Sequence, residues 1–208
     1  DEVRFDLMSS LPLEAFKPFI KQDGPLEQAL GHVTLSEDSS IALDVVGTLN
    51  LVDRTDWSAT GKVLLNNLTY KETRFHYLAT SYQIAPDKAE FVNIEGLLDD
   101  DHENIRLRFD GAASDPIYVD RILYDPETHF ITIQNLRGKA WATPIVKIFA
   151  PETAAHIEET YRFHRPPLLS LNGTFAEKKE DNDKSSFVVE VRTEGQTDYP
   201  FLGSNLPL

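Results

Sequence analysis

The sequence predicts a mainly β protein: an antiparallel curved sheet, an open β-groove or a sandwich, of about ten strands with two short helical segments. Apolar and polar residues alternate over many short segments, as they do in strands with one buried and one wet face. The connections between those segments are short and turn-like, which joins antiparallel neighbours. Apolar spacing of helical period is confined to two places.

In chain order, the first helical segment is Leu11 to Ile20, where Pro12 suits a first turn and Leu13, Phe16, Phe19 and Ile20 share a stripe. A long strand follows from Ile41 to Leu51, with Leu43, Val45 and Leu49 in alternation and Gly47 marking a bulge or bend. Trp57 to Leu65, Phe75 to Ala85 and Glu90 to Leu98 are the next strands, separated by the turn signals Asp53-Arg54-Thr55-Asp56 and Pro86-Asp87-Lys88. Asn104 to Asp110 has the clearest alternation, with Ile105, Leu107 and Phe109 on one side and Arg106, Arg108 and Asp110 on the other. Ile117 to Tyr124 and His129 to Gln134 flank the turn at Asp125-Pro126-Glu127. The second helical segment runs from Thr143 to Phe163; Thr143 caps it, Pro151 breaks and restarts it, and Pro166-Pro167 ends it. Leu168 to Ala176, Phe187 to Thr193 and Tyr199 to Asn205 complete the strands.

Two features repeat along the chain. Each helical segment precedes a strand containing Gly-Thr, at Gly47-Thr48 and Gly173-Thr174. The spacing of those glycines recurs, within two positions, between the aromatic strands that begin at Phe75 and Tyr199. The chain therefore reads as a single β-rich domain, 1–208, or as one module of about 1–140 followed by the start of a second repeat at about 141–208. The ends carry neither a signal-peptide pattern nor a closing helix, and the chain is expected to be a fragment of a longer protein.

Composition removes several classes. The 20 Lys and Arg stand against 34 Asp and Glu, a formal charge of −14, so nucleic acid is not an expected partner. Cysteine is absent, which removes disulfides, thiolate nucleophiles and thiolate metal sites. The mean hydropathy of −0.32 and the short apolar runs exclude a membrane-spanning helix. No cofactor is expected, since the ten glycines are scattered singly and form neither a phosphate loop nor a dinucleotide fingerprint. No Gly-x-Ser-x-Gly occurs for a serine nucleophile, and 34 acidic residues offer too many carboxylate pairs to single one out. The chain is expected not to be an enzyme.

Metal is not expected either. The run Asp99-Asp100-Asp101-His102-Glu103-Asn104 lacks the spacing of a calcium loop and reads as a solvated hairpin turn. Lys178 to Lys184 reads as another wet turn. The six histidines never form His-x-His or a helical pair four apart; His156 with Glu159 reads as a surface pair and His164 as a helix-end cation. Asn67-Leu68-Thr69 and Asn172-Gly173-Thr174 match the glycosylation triplet, although Asn172 lies within a strand.

The stretch from Leu43 to Gly111, together with Arg165-Pro166-Pro167-Leu168-Leu169-Ser170-Leu171-Asn172-Gly173-Thr174-Phe175, resembles the AsmA/TamB-like proteins of bacterial envelopes. A helix, a long apolar-x-Gly-Thr-apolar strand and one-sided hairpins carry that resemblance over about half the chain. It implies a repeating β-groove in the periplasm or cell envelope, part of a protein anchored to a membrane through a segment not present here. It further implies a role in outer membrane biogenesis or lipid transport, with lipid or envelope proteins as partners. On physical grounds the apolar positions Val92, Ile94, Ile105, Leu107 and Phe109 are the candidate groove, a dry path for acyl chains that leaves headgroups in water. The same positions also suit an ordinary core beneath the two helical segments. The alternative function is a carbohydrate- or protein-binding β-sandwich module of a secreted or surface protein, with Trp57 and Trp141 as a stacking platform.

Overall fold

The computed structural model describes residues 2–9, 33–53, 56–100, 112–201 and 204–207. The predicted helix Leu11 to Ile20 and the predicted strand Asn104 to Asp110 lie outside them. Among the described residues the fold is mainly β, as predicted, and the main sheet does not close into a barrel. Its strands are β1 (Glu2–Ser9), β2 (Val33–Asn50), β3 (Trp57–Tyr70), β4 (Thr73–Ala85), β5 (Lys88–Leu98), β6 (Ile117–Asp125), β7 (Phe130–Lys139), β9 (Leu168–Ala176) and β10 (Ser186–Arg192). They lie side by side in that order, each antiparallel to the next. A second sheet of three strands holds β8 (Arg162–Phe163), β11 (Thr197–Phe201) and β12 (Ser204–Pro207).

The turns follow the sequence. Ala85 pairs with Lys88 across Pro86-Asp87. At the next described hairpin the Asp125 carboxylate accepts the backbone N–H of Glu127 and Thr128, a local turn bond that aspartate makes readily. Tyr70 pairs with Thr73 across Lys71 and Glu72, both with positive φ, at 45° and 69°. Such a turn favours Asn-Gly. Here contacts offset the strain: Lys71 Nζ donates to the Ile148 carbonyl at 3.2 Å, and Glu72 pairs with Lys147.

Two helices, α1 (Ala142–Phe149) and α2 (Pro151–Thr160), interrupt the strand order between β7 and β9, with the break at Pro151 as predicted. The helix begins at Trp141 and Ala142 without a side-chain cap, so Thr143 does not cap it. Ile145, Val146 and Ile148 of α1 and Ala154 and Ile157 of α2 are buried against one face of the sheet. That face supplies Leu68, Phe75, Ile94, Leu98, Ile117, Val119, Ile133, Leu136, Leu171 and Phe175. Trp141 is 4% exposed within this core, so it offers no stacking surface for a sugar.

The alternation of faces is interrupted along a line across the sheet. Asn93 in β5 and Asn135 in β7 have positive φ, 53° and 56°, and the register shifts beside each of them. Core-facing residues on either side of the line are three apart instead of two: Phe91 and Ile94, Val119 and Ile122, Ile133 and Leu136. Asn67 in β3, with φ 52°, marks a similar step between Leu65 and Leu68. Asparagine tolerates this conformation better than most residues, and bulges of this kind bend a strand.

Several expectations change. The strand predicted from Tyr199 to Asn205 is a hairpin, in which Phe201 pairs with Ser204. Lys179–Lys184 form a short 3-10 helix, largely exposed. Asp99 and Asp100 are buried at 8% and 2% exposure and are no solvated turn. The Asp100 carboxylate accepts the Ser114 backbone N–H at 2.6 Å and its hydroxyl at 2.9 Å, while Asp99 faces Arg74 Nε at 3.3 Å. Both carboxylates thus exchange water for charge-assisted partners. Residues 101–104 of that run lie outside the described residues.

Candidate functional site

A trough of about 720 Å³ lies across β2, β3 and β4. Its lining is three successive rungs of directly paired residues: Ala42, Leu64 and Ala79; Leu43, Val63 and Thr80; Asp44, Lys62 and Ser81. Asn93, at the β5 bulge, completes it. Alternation along each strand puts the first and third rungs on one face. Leu65 of β3 and Leu78 of β4 pack on the helix-covered core, so Leu64 and Ala79, one residue away, face the opposite side. The trough therefore opens on the face opposite the helices, which no described residue covers. Small side chains at Ala42, Ala79 and Ser81 make the hollow, and Leu64, 38% exposed, gives it an apolar floor.

The charge in the site is limited to one rung. Asp44 and Lys62 are paired in register but form no ion pair within 4 Å. The first rung becomes polar beyond the trough: Ala79 pairs with Glu95, Glu95 with Tyr118, and Tyr118 with Arg137. Tyr77 donates to Glu95 at 2.6 Å, and that hydrogen bond holds the Tyr77 phenol up at about 12. Arg137 and Asn135 both bond the Asp120 carboxylate at 2.6 Å, which keeps Asp120 below the usual carboxylate range. Beneath the trough, Tyr82 pairs with Gly61, and burial with the nearby Asp44 charge pushes its phenol up to about 12.

The predicted groove residues separate in the structure. Ile94 is 7% exposed and sits in the core under the helices. Val92 is half-buried and extends the third rung, opposite Ser81. The bulge at Asn93 lies between them, so Phe91 rather than Val92 joins Ile94 against the core. Ile105, Leu107 and Phe109 lie outside the described residues. The trough residues Ala42, Leu64 and Ala79 were invisible to periodicity alone, because what unites them is cross-strand register.

Other polar clusters are structural in character. His129 Nδ1 lies 3.1 Å from Glu177, which also accepts from Tyr124 at 3.0 Å, and burial holds the Tyr124 phenol at about 12. His164 lies 2.9 Å from Asp198 and keeps that carboxyl low. Among the described residues no group of three or more His, Asp or Glu side chains is placed to hold a metal ion, and no helix is long and apolar enough to cross a membrane. Compared with known proteins, the chain matches no family model, no curated protein and no solved structure.

Proposed function

We propose that this domain contacts lipid, without catalysing a reaction, by receiving acyl chains in the trough of β2, β3 and β4. The observation that carries the reading is an apolar rung, Ala42, Leu64 and Ala79, on the face opposite the helices, which no described residue covers. A volume of 720 Å³ falls within the roughly 300–1,000 Å³ of small-molecule sites. Each methylene removed from water contributes about 0.8 kcal/mol, so a few carbons suffice for weak, mobile binding without polar readout. The formal charge of −14 disfavours anionic headgroups, which leaves the chains as the main source of attraction. The resemblance to AsmA/TamB-like proteins rests on sequence pattern alone; with it come the proposals of a periplasmic or envelope location and an anchor elsewhere in the parent protein.

Native mass spectrometry of the chain after incubation with dioleoylphosphatidylcholine vesicles tests this. Bound phospholipid is expected, and Ala79→Trp, which fills the trough, is expected to remove it. Lipid-free protein, or equal binding by Ala79→Trp, would overturn the proposal.

A further inference from the structure

The main sheet ends in β10, which among the described residues pairs only with β9. Edge strands in soluble proteins are normally blunted by lysine, proline or a bulge. The β10 sequence Ser-Phe-Val-Val-Glu-Val-Arg has none of these: it holds no lysine or proline, and its register with β9 is unbroken. Phe187, Val189 and Val191 pack on the core only partly buried, and Val188 on the other face is 62% exposed. The strand is neutral overall, with Glu190 and Arg192 as its charges, in a protein of charge −14.

We infer that β10 is the docking edge for a second copy of this chain, joined antiparallel about a two-fold axis. The topology selects this arrangement. Nine strands, each antiparallel to its neighbour, leave β1 and β10 running in the same direction. Extending the sheet by translation would set β10 against β1 of the next copy in a parallel pair, the less stable kind. A two-fold axis sets β10 antiparallel to itself.

Register follows from the side chains. Residues directly opposite in an antiparallel pair share a face, so only registers that match core-facing residues with core-facing residues are allowed. Aligning Glu190 with itself places like charges in contact. The register that centres on Val189 avoids this and pairs all of Ser186 to Arg192: Phe187 meets Val191, Val188 meets Glu190 and Ser186 meets Arg192 of the second copy. Both partly buried apolar rows become continuous. Seven residues a side fall short of the roughly 800 Å² per partner of a stable complex, so the dimer is weak and concentration-dependent.

The absence of native cysteine makes the test clean. Val188 and Glu190 are both exposed. Under mild oxidation a mixture of Val188→Cys and Glu190→Cys chains is expected to cross-link several-fold more than either variant alone. In sedimentation equilibrium, Val188→Glu, which sets Glu against Glu190, should weaken the dimer about tenfold. Val188→Glu combined with Glu190→Lys should restore it, with near-UV circular dichroism unchanged throughout. A monomer at all concentrations up to about 1 mM, a regime that covers even weak association, would overturn the inference. So would a dimer indifferent to these changes, or cross-linking that favours Val188→Cys alone.

Discussion

Ile145→Ala tests whether α1 is part of the structural core. Ile145 is 1% exposed and lies among Val146, Ile148 and the core face of the sheet. Removing its outer carbons loses transfer free energy and leaves a cavity that rigid neighbours fill only in part. Isoleucine-to-alanine changes at such sites cost about 2–5 kcal/mol, and a value near 3 kcal/mol suits a site walled by both helix and sheet. With a urea dependence of about 2 kcal/mol per molar, the unfolding midpoint should fall by about 1.5 M. Val188→Ala, at a position 62% exposed, is the control and should cost less than about 0.5 kcal/mol. A midpoint shift below about 0.5 M for Ile145→Ala would refute the docking of α1 and reopen the face that it covers.

Three further outcomes are expected. Asp100→Ala strands the Ser114 backbone N–H and hydroxyl in a buried site and should cost about 2–4 kcal/mol in the same urea assay, with Asp100→Asn milder because one acceptor remains. Gly173→Ala should cost about 1–3 kcal/mol, since a Cβ there would lie 2.3 Å from the Phe187 Cβ at a φ of 158°. Tyr77, Tyr82 and Tyr124 should ionise near pH 12 in a 295 nm titration of the folded protein. Their folded pKa values are raised, so the stability they contribute is complete below pH 10 and is lost between pH 10 and 12, where only the unfolded chain ionises.

Local pattern specified much of the fold. Alternation and turn residues placed β4, β5 and β9 within a few residues, and Pro151 placed the helix break. What escaped depended on partners. β1 is the exception, a strand passed over although Val3, Phe5 and Leu7 alternate with Glu2, Arg4 and Asp6 as in the other strands. β7 extends well past Gln134 because the bulge at Asn135 breaks the period that a sequence reader follows. The same effect at Asn93 divided Val92 from Ile94. Asp99 and Asp100 look like a wet turn until Arg74 and Ser114, distant in sequence, arrive beside them. The trough is a product of register: nothing in the separate segments joins Ala42 to Leu64 and Ala79.

The central claim, that acyl chains enter the trough, is tested most directly at Leu64. A polarity-sensitive dye on Leu64→Cys, in a chain with no other cysteine, reports the trough, and the same dye on Tyr118→Cys reports the polar end of that rung. Dioleoylphosphatidylcholine vesicles should shift the Leu64→Cys emission to the blue and leave Tyr118→Cys nearly unchanged. Equal shifts at both positions, or none at Leu64→Cys, would contradict the account.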